Sequence, residues 1–207
     1  MDANPHDRSG FALFAIVVGL VVIAILATLM VAPLSGDNRE ARVERAANIL
    51  HRLVAEMDSA SGNTTNYFKG HMQAGGGAPA NRPRWPGRLS HLYAQPLTTD
   101  LRCSGATYNA GGMNVANWRG PYHLVPMQTS GHHIAPGFFA DDAIVRVSNT
   151  EAYIRLQNVT LDDAMSLDRI VDNADNAAAG TVRYSPTASS PVVVAYHFVS
   201  ASGVPCS

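Results

Sequence analysis

The pattern of apolar and polar residues divides this chain into three segments. Residues 11–34 contain no charge and carry apolar side chains on every side of a helix. At 1.5 Å per residue, this segment matches a hydrocarbon core of about 30 Å. It is too long for a strand, since strands rarely exceed about ten residues. The first segment therefore predicts a membrane-spanning helix, preceded by a short polar leader over residues 1–10.

The second segment, residues 35–58, is amphipathic and predicts a continuation of the helix. Apolar residues recur at spacings of three and four, at Val43, Ala46, Ala47, Leu50, Leu53, Val54 and Met57. Charged and amide residues fill much of the rest, so we expect the apolar face to pack under a sheet. Pro33 and the polar residues after it predict a kink or local melting between the two halves. The alternative is that one helix ends at Leu34 and a second begins near Asp37.

The third segment, residues 59–207, predicts a globular head with long loops. Glycines and prolines between 59 and 90 break both the helical and the strand periodicity. β-Branched and aromatic residues then predict strands at 123–127, 143–148, 153–159, 180–184 and 192–199. A short helix is expected within 89–101, and another begins at Thr160, where Asp163 comes close to completing a capping box. The predicted fold class is α+β: a long N-terminal helix, with a membrane-spanning half and an amphipathic half, packed on a small, mainly antiparallel β-sheet.

The boundary between Gly10 and Phe11 adds a resemblance to a known family. A Gly-Phe junction that opens an apolar N-terminal helix resembles the type IV pilins and pseudopilins, and WRGPY at 118–122 resembles the turn that precedes the sheet in many pseudopilins. The resemblance implies that a prepilin peptidase cuts after Gly10, that Phe11 is methylated, and that the helix stays on the mature chain. The family usually has Glu five residues into the mature chain. This chain has Ala15 there, which resembles a minor or tip subunit.

The resemblance implies a structural function without catalysis. The chain would be a minor or tip subunit of a type II secretion pseudopilus or a type IV pilus. Its partners would be other pilin or pseudopilin subunits, the prepilin peptidase and the inner membrane. It would be a single-pass protein of the bacterial inner membrane with its head in the periplasm, and later part of the pilus or pseudopilus. The arginines around the apolar segment oppose this orientation under the positive-inside rule. The alternative hypothesis is a signal-anchored periplasmic domain that binds a ligand and joins no filament.

The chain contains two cysteines, Cys103 and Cys206. An even count is compatible with one disulfide in an oxidising compartment, and the placement of Cys206 near the C-terminus resembles the family. Such a disulfide would close a loop of about 100 residues and stabilise the fold by about 4–5 kcal/mol in the chain-entropy model. The alternative is two unpaired thiols in a reducing compartment.

The remaining sequence features give no support for an enzyme or a nucleic-acid-binding protein. The net charge is −1, so electrostatics do not favour nucleic acid. The zinc-protease, nucleophile-elbow and phosphate-loop motifs are absent from the sequence. His132 and His133 are adjacent, so in a strand they would point to opposite faces and would not readily hold one metal together. Trp85 lies among three arginines in 81–88, which predicts either an anion or glycan site or, more commonly, an anchor that docks the loop on its own domain.

An acidic, amide-rich stretch at 168–176 is the candidate metal site. Asp168, Asp172 and Asp175 carry the hard oxygen donors that calcium prefers. The spacing of an EF-hand is absent, and the alternative interpretation is the ordinary end of a capped helix. No other cofactor is predicted.

Overall fold

A computed structural model describes residues 7–57, 85–108, 115–127, 130–173, 176–187 and 191–199. Within the first helix, the side chains described are those of residues 16–24 and 38–57. The chain divides into two compact units, Met1–Ala41 and Arg42–Ser207. The second unit contains the sheet and the buried core, and we refer to it as the head.

The first helix, α1, runs over Asp7–Met57 and is 51 residues long. It passes through Pro33 without interruption, so both the predicted melting and the alternative of two separate helices are wrong. A proline inside a helix removes one backbone hydrogen bond, and the turns on either side of Pro33 remain helical. Gly10 and Phe11 also lie within α1.

The membrane-spanning part of the predicted fold class is wrong. In the portion of the chain that is described, no helix combines the length and the apolar character needed to cross a membrane. The predicted transmembrane segment, and with it the single-pass placement in a bacterial inner membrane with a periplasmic head, is overturned by this finding.

The head contains a five-stranded sheet in which every pair of neighbouring strands is antiparallel, in the order β1-β2-β3-β5-β4. Its strands are β1 (His132–Ala135), β2 (Phe138–Arg146), β3 (Glu151–Val159), β4 (Val182–Tyr184) and β5 (Val192–Val199). The strands predicted at 153–159 and 192–199 are confirmed. Those predicted at 143–148 and 180–184 overlap β2 and β4, whereas β1 and the first half of β2 were not predicted.

The strand predicted at 123–127 is wrong. The backbone N–H groups of Tyr122 and His123 both donate to the carbonyl of Leu92, at 2.7 and 3.2 Å. Two successive N–H groups that share one acceptor turn the chain instead of extending it along a partner strand. The apolar Leu124 and Val125, which suggested a strand, are exposed at this bend.

The C-terminal part of α1 supplies one side of the core, as its periodicity predicts. Val43, Ala46, Leu50, Leu53 and Met57 are fully buried. They belong to one cluster with the inward-facing residues of the sheet. This helix face is therefore the part of α1 that contributes to the stability of the head.

The second helix, α2, runs over Leu161–Asp172 and was predicted from its first turn. The Thr160 side chain accepts a hydrogen bond from the Asp163 backbone N–H at 3.1 Å, which satisfies one of the orphan donors of the helix start. Asn173 ends the helix in the left-handed conformation, with φ 53°. The Asp163 carboxylate also accepts two 2.7 Å hydrogen bonds from Arg42 Nη2, which connects α2 to α1.

Candidate functional site

A bulge in β2 contains a buried acidic residue. Between paired positions, β2 advances from Ala140 to Ile144 while β3 advances only from Leu156 to Ile154. The extra residues of β2 form a bulge, a device that re-aims side chains and is frequent beside functional sites. Asp142 lies in this bulge and is only 7% exposed.

The Asp142 carboxylate is held by donors from two other parts of the head. It accepts hydrogen bonds from the Ser90 backbone N–H at 2.8 Å and from the Ser90 hydroxyl at 3.1 Å. His132 Nε2 lies 3.1 Å from Oδ1, and Arg88 Nη1 lies 3.7 Å from Oδ2. Burial alone would raise the pKa of Asp142, but the hydrogen bonds from His132 and Ser90 outweigh it and hold the pKa below its ordinary value. Asp142 is therefore ionised at neutral pH.

The neighbouring His91 and Tyr108 form a neutral pair. His91 belongs to a 3₁₀ turn, Leu89–Leu92, and its Nδ1 lies 2.9 Å from the Tyr108 hydroxyl oxygen. Burial lowers the pKa of His91, although Asp100 and Asp142 act in the opposite direction. Burial also raises the pKa of Tyr108 far above its ordinary value. Both side chains are therefore uncharged at neutral pH.

Ser90, His132 and Asp142 are the residue types of a hydrolytic triad, but their order in space differs. A nucleophilic serine needs a histidine within hydrogen-bond reach of its hydroxyl, and the carboxylate orients that histidine from the far side. Here the Ser90 hydroxyl donates to Asp142, and His132 contacts the same carboxylate. The carboxylate therefore stands between serine and histidine. This arrangement ties the 3₁₀ turn to the sheet.

A cleft of about 520 Å³ opens beside the bulge, and we call it the bulge cleft. Its charged lining residues are Arg88, Arg102, Asp141, Asp142 and Arg155. Gly87 brings two loops together at its wall, because a Cβ at this position would lie 2.1 Å from the carbonyl oxygen of Leu101. The Gly87 carbonyl in turn accepts a 3.0 Å hydrogen bond from the Ile144 N–H in β2. These contacts hold the loops against the bulge and define the shape of the cleft.

A second candidate surface is the apolar segment of α1, which we define as residues 16–23. Ile16, Leu20 and Ile23 are 64%, 62% and 63% exposed, and Val17, Val18, Val21 and Val22 are also exposed. Successive helical residues are about 100° apart, so these positions cover the whole circumference of the helix. Exposed apolar surface of this kind marks an interaction site.

The predicted processing site and disulfide are described only in part. Gly10 and Phe11 lie in α1, but their side chains are outside the described residues, so cleavage between them stays a prediction. Cys103 is buried and disulfide-bonded. Cys206 lies outside the described residues, and its pairing with Cys103 stays a prediction.

The candidate calcium ligands have other hydrogen-bond partners. Asp168 accepts the Asn176 backbone N–H at 2.9 Å, and Asp172 accepts those of Thr181 and Val182 at 2.9 and 2.8 Å. Burial alone would raise the pKa of Asp172, but these hydrogen bonds lower it. Asp175 lies outside the described residues, and within them no three His, Cys, Asp or Glu side chains are grouped to hold a metal ion. The described contacts correspond to the alternative interpretation, a helix end closed by its own carboxylates.

Two further sequence interpretations can be compared with the structure. Trp85 is fully buried and its ring packs edge-on against Phe198, with centroids 4.8 Å apart. It therefore serves as the anchor of its loop, and the surface-site interpretation is wrong for this residue. His132 is buried while His133 is exposed, which confirms that they point to opposite faces.

Sequence reasoning missed Ser90, Asp142 and Arg102, which line or support the bulge cleft. The predicted strand at 143–148 began one residue too late to include Asp142. An Asp-Asp pair immediately before the predicted strand, at 141–142, was an available signal for an irregular strand. Arg102 had no signal, because its burial depends on loops that are distant in sequence.

Comparison with known proteins gives no family assignment. Neither a protein-family model, nor a curated protein, nor a solved structure matches this chain. The similarity to the pilins therefore rests on the residues quoted above.

Proposed function

We propose that this chain is a structural subunit of a pilus-like filament and that it assembles through the apolar segment of α1. The observation that carries the proposal is the exposure of residues 16–23 on every side of the helix. Burying such a surface removes apolar area from water and stabilises association by about 25 cal/mol per Å² before the costs of assembly.

The distribution of the exposed residues favours a bundle of several helices. A helix with one apolar stripe is satisfied by one partner, whereas a helix that is apolar all round must be surrounded. Packing side by side with α1 helices of other subunits would cover each flank of the segment at the usual interaxial distance of about 8–10 Å. Repetition of this packing without closure produces a filament.

Two sequence features and one structural feature also support the proposal. Pilin-like subunits have features similar to the Gly10–Phe11 junction and the WRGPY turn. They also pack the C-terminal part of their long helix under an antiparallel sheet, as α1 does here. Ala15 stands where the family usually has a carboxylate that pairs with the amine of a neighbouring subunit. Without that carboxylate, a minor or tip position in the filament fits this chain better than a major one.

The first prediction concerns assembly. Leu20→Asp would place a charge inside the helix bundle, where an unpaired carboxylate is strongly unfavourable. We expect it to abolish the high-mass species of the full chain in analytical ultracentrifugation and the filaments in negative-stain electron microscopy. Leu124→Asp is the matched control, because Leu124 is 75% exposed on the head and lies outside the segment.

Two outcomes would contradict this assignment of the assembly surface. One is a wild-type chain that still sediments as a monomer when its partner subunits are present. The other is loss of assembly in Leu124→Asp with normal assembly in Leu20→Asp.

The second prediction concerns maturation. Gly10→Val places a branched side chain at the proposed cleavage point, and we expect it to prevent shortening of the chain when a prepilin-type peptidase is co-expressed. Mass spectrometry of the wild-type chain should find methylated Phe11 at the N-terminus. Ser9→Ala is the matched control and should mature normally. A Gly10→Val chain of mature length, or a wild-type chain that keeps Met1, would disprove the processing step.

A further inference from the structure

Arg102 has unused hydrogen-bonding capacity in the wall of the bulge cleft. Its side chain is only 7% exposed, and its Nε and Nη1 are buried without a hydrogen-bond partner. The backbone is fixed, since the Arg102 N–H donates to the Ala106 carbonyl at 3.0 Å. Buried polar groups are nearly always paired, and an unpaired buried charge is costly. Arg102 also lines the cleft, so a ligand that enters it would bring an acceptor to the exposed edge of this guanidinium.

The acidic residues of the cleft are already engaged by other groups. Asp141 pairs with Arg155 and accepts a hydrogen bond from Gln157, and Asp142 accepts from Ser90 and His132. No ion pair to Arg102 is present among the described residues. Its titratable neighbour Tyr108 is neutral at neutral pH, so it does not serve as a counter-ion.

The charge balance of the cleft defines the ligand further. Three arginines face two aspartates, which leaves one positive charge in excess. A singly charged carboxylate would neutralise that excess, whereas a doubly charged phosphate would also be repelled by the two ionised aspartates. Leu101, Ala143 and Ile144 form an apolar part of the lining. The volume of about 520 Å³ is that of a small-molecule site.

We propose that the bulge cleft binds a small monocarboxylate with an apolar body, whose carboxylate accepts hydrogen bonds from Arg102 and whose body contacts Leu101 and Ile144. Arginine donates to carboxylates in charge-assisted hydrogen bonds, which are about twice as strong as neutral ones. The site belongs to the head and is separate from the apolar segment of α1. It therefore adds a ligand to the proposed filament subunit without depending on assembly.

Equilibrium dialysis of the full chain against radiolabelled benzoate tests the proposal, because it works equally for assembled and unassembled protein. We expect saturable binding that unlabelled butyrate displaces, while butyramide and inorganic phosphate do not. Arg102→Gln should weaken benzoate binding by about tenfold or more, as expected when a charged hydrogen-bond donor is lost. Arg146→Gln removes the same charge from an exposed position outside the cleft and should leave binding unchanged.

A second variant guards against loss of folding in Arg102→Gln. Ala143→Phe fills the apolar part of the cleft without touching the guanidinium, and we expect it to abolish benzoate binding while the chain keeps its wild-type circular dichroism spectrum. Absence of saturable binding, or equal binding by the wild type and both cleft variants, would overturn the proposal. Displacement by an acidic peptide but not by butyrate would also overturn it, since the ligand would then be a protein side chain.

Discussion

Asp142 is the residue on which the architecture of the bulge cleft depends most. It connects β2 to the 3₁₀ turn at Leu89–Leu92 through Ser90 and to β1 through His132. Three segments that are distant in sequence therefore share one buried carboxylate. Removing its charge weakens the hydrogen bonds from both partner segments and replaces the oxygen that accepts from the Ser90 hydroxyl by an amide donor.

The third prediction is that Asp142→Asn destabilises the head by about 2–4 kcal/mol at pH 7, because the buried donors lose a charged acceptor. Urea unfolding followed by circular dichroism measures this change. All chains compared also carry Leu20→Asp, so that they stay unassembled during the measurement. Asp162→Asn is the control, since Asp162 is exposed in the first turn of α2, and we expect it to lower stability by less than about 1 kcal/mol.

The fourth prediction follows from the lowered pKa of the same residue. As pH falls, the unfolded chain binds a proton at Asp142 before the folded chain does, so the stabilisation is present above about pH 4 and is lost as pH falls through the folded pKa. The stability difference between the wild type and Asp142→Asn should therefore shrink between pH 5 and the acid limit of folding. A difference that stays constant or grows with acidity would contradict the assigned role of this carboxylate.

At the scale of elements, α2 shows how local sequence and long-range contacts combine. Thr160 closes the first turn, and Asp163, three residues later, donates its N–H to Thr160 and accepts Arg42 from α1. The helix start is thus fixed both within the element and against its neighbour.

The fifth prediction tests the local part of this arrangement. Thr160→Val keeps the shape of the side chain but removes the cap, and we expect a loss of about 1 kcal/mol in the free energy of unfolding. Thr150→Val is the control, because among the described residues the Thr150 hydroxyl contacts only Ser148, at 3.4 Å. Equal losses in the two variants, measured by urea unfolding, would mean that the cap contributes nothing specific.

Elements whose signals are local were predictable from sequence, and those that depend on distant contacts were not. Thr160 and Asp163 gave the start of α2, and the apolar run at 192–199 gave β5. Asp142 occupies an inward-facing position of β2 with a carboxylate, so a search for buried apolar residues did not reveal its burial. The bend at 123–127 depends on the Leu92 carbonyl, and the burial of Arg102 depends on loop packing, which periodicity does not report.

At the scale of the whole molecule, the boundary between the two units falls inside a continuous helix. The structure assigns residues up to Ala41 to the first unit and Arg42 onward to the second. Among the described residues, the buried core begins at Val43. Helix continuity and domain division are therefore independent features of this chain.

This division predicts different outcomes for two truncations. A chain that begins at residue 38 retains every described core residue and should keep the melting temperature of the Leu20→Asp chain. A chain that begins at residue 58 lacks Val43, Leu50, Leu53 and Met57, and since burial of each large side chain is worth about 2–5 kcal/mol, it should not fold. Thermal circular dichroism distinguishes the two. A cooperative transition in the shorter chain would refute the role assigned to α1.

The contact between Arg42 and Asp163 also has a mechanical consequence. Tension applied to the N-terminal part of α1 travels along an unbroken helix and reaches the head at Arg42, one residue before the first buried side chain. This ion pair would therefore bear load ahead of the core. A subunit pulled by its neighbours would load this contact with α2 first, and the buried side chains from Val43 onward would carry the rest.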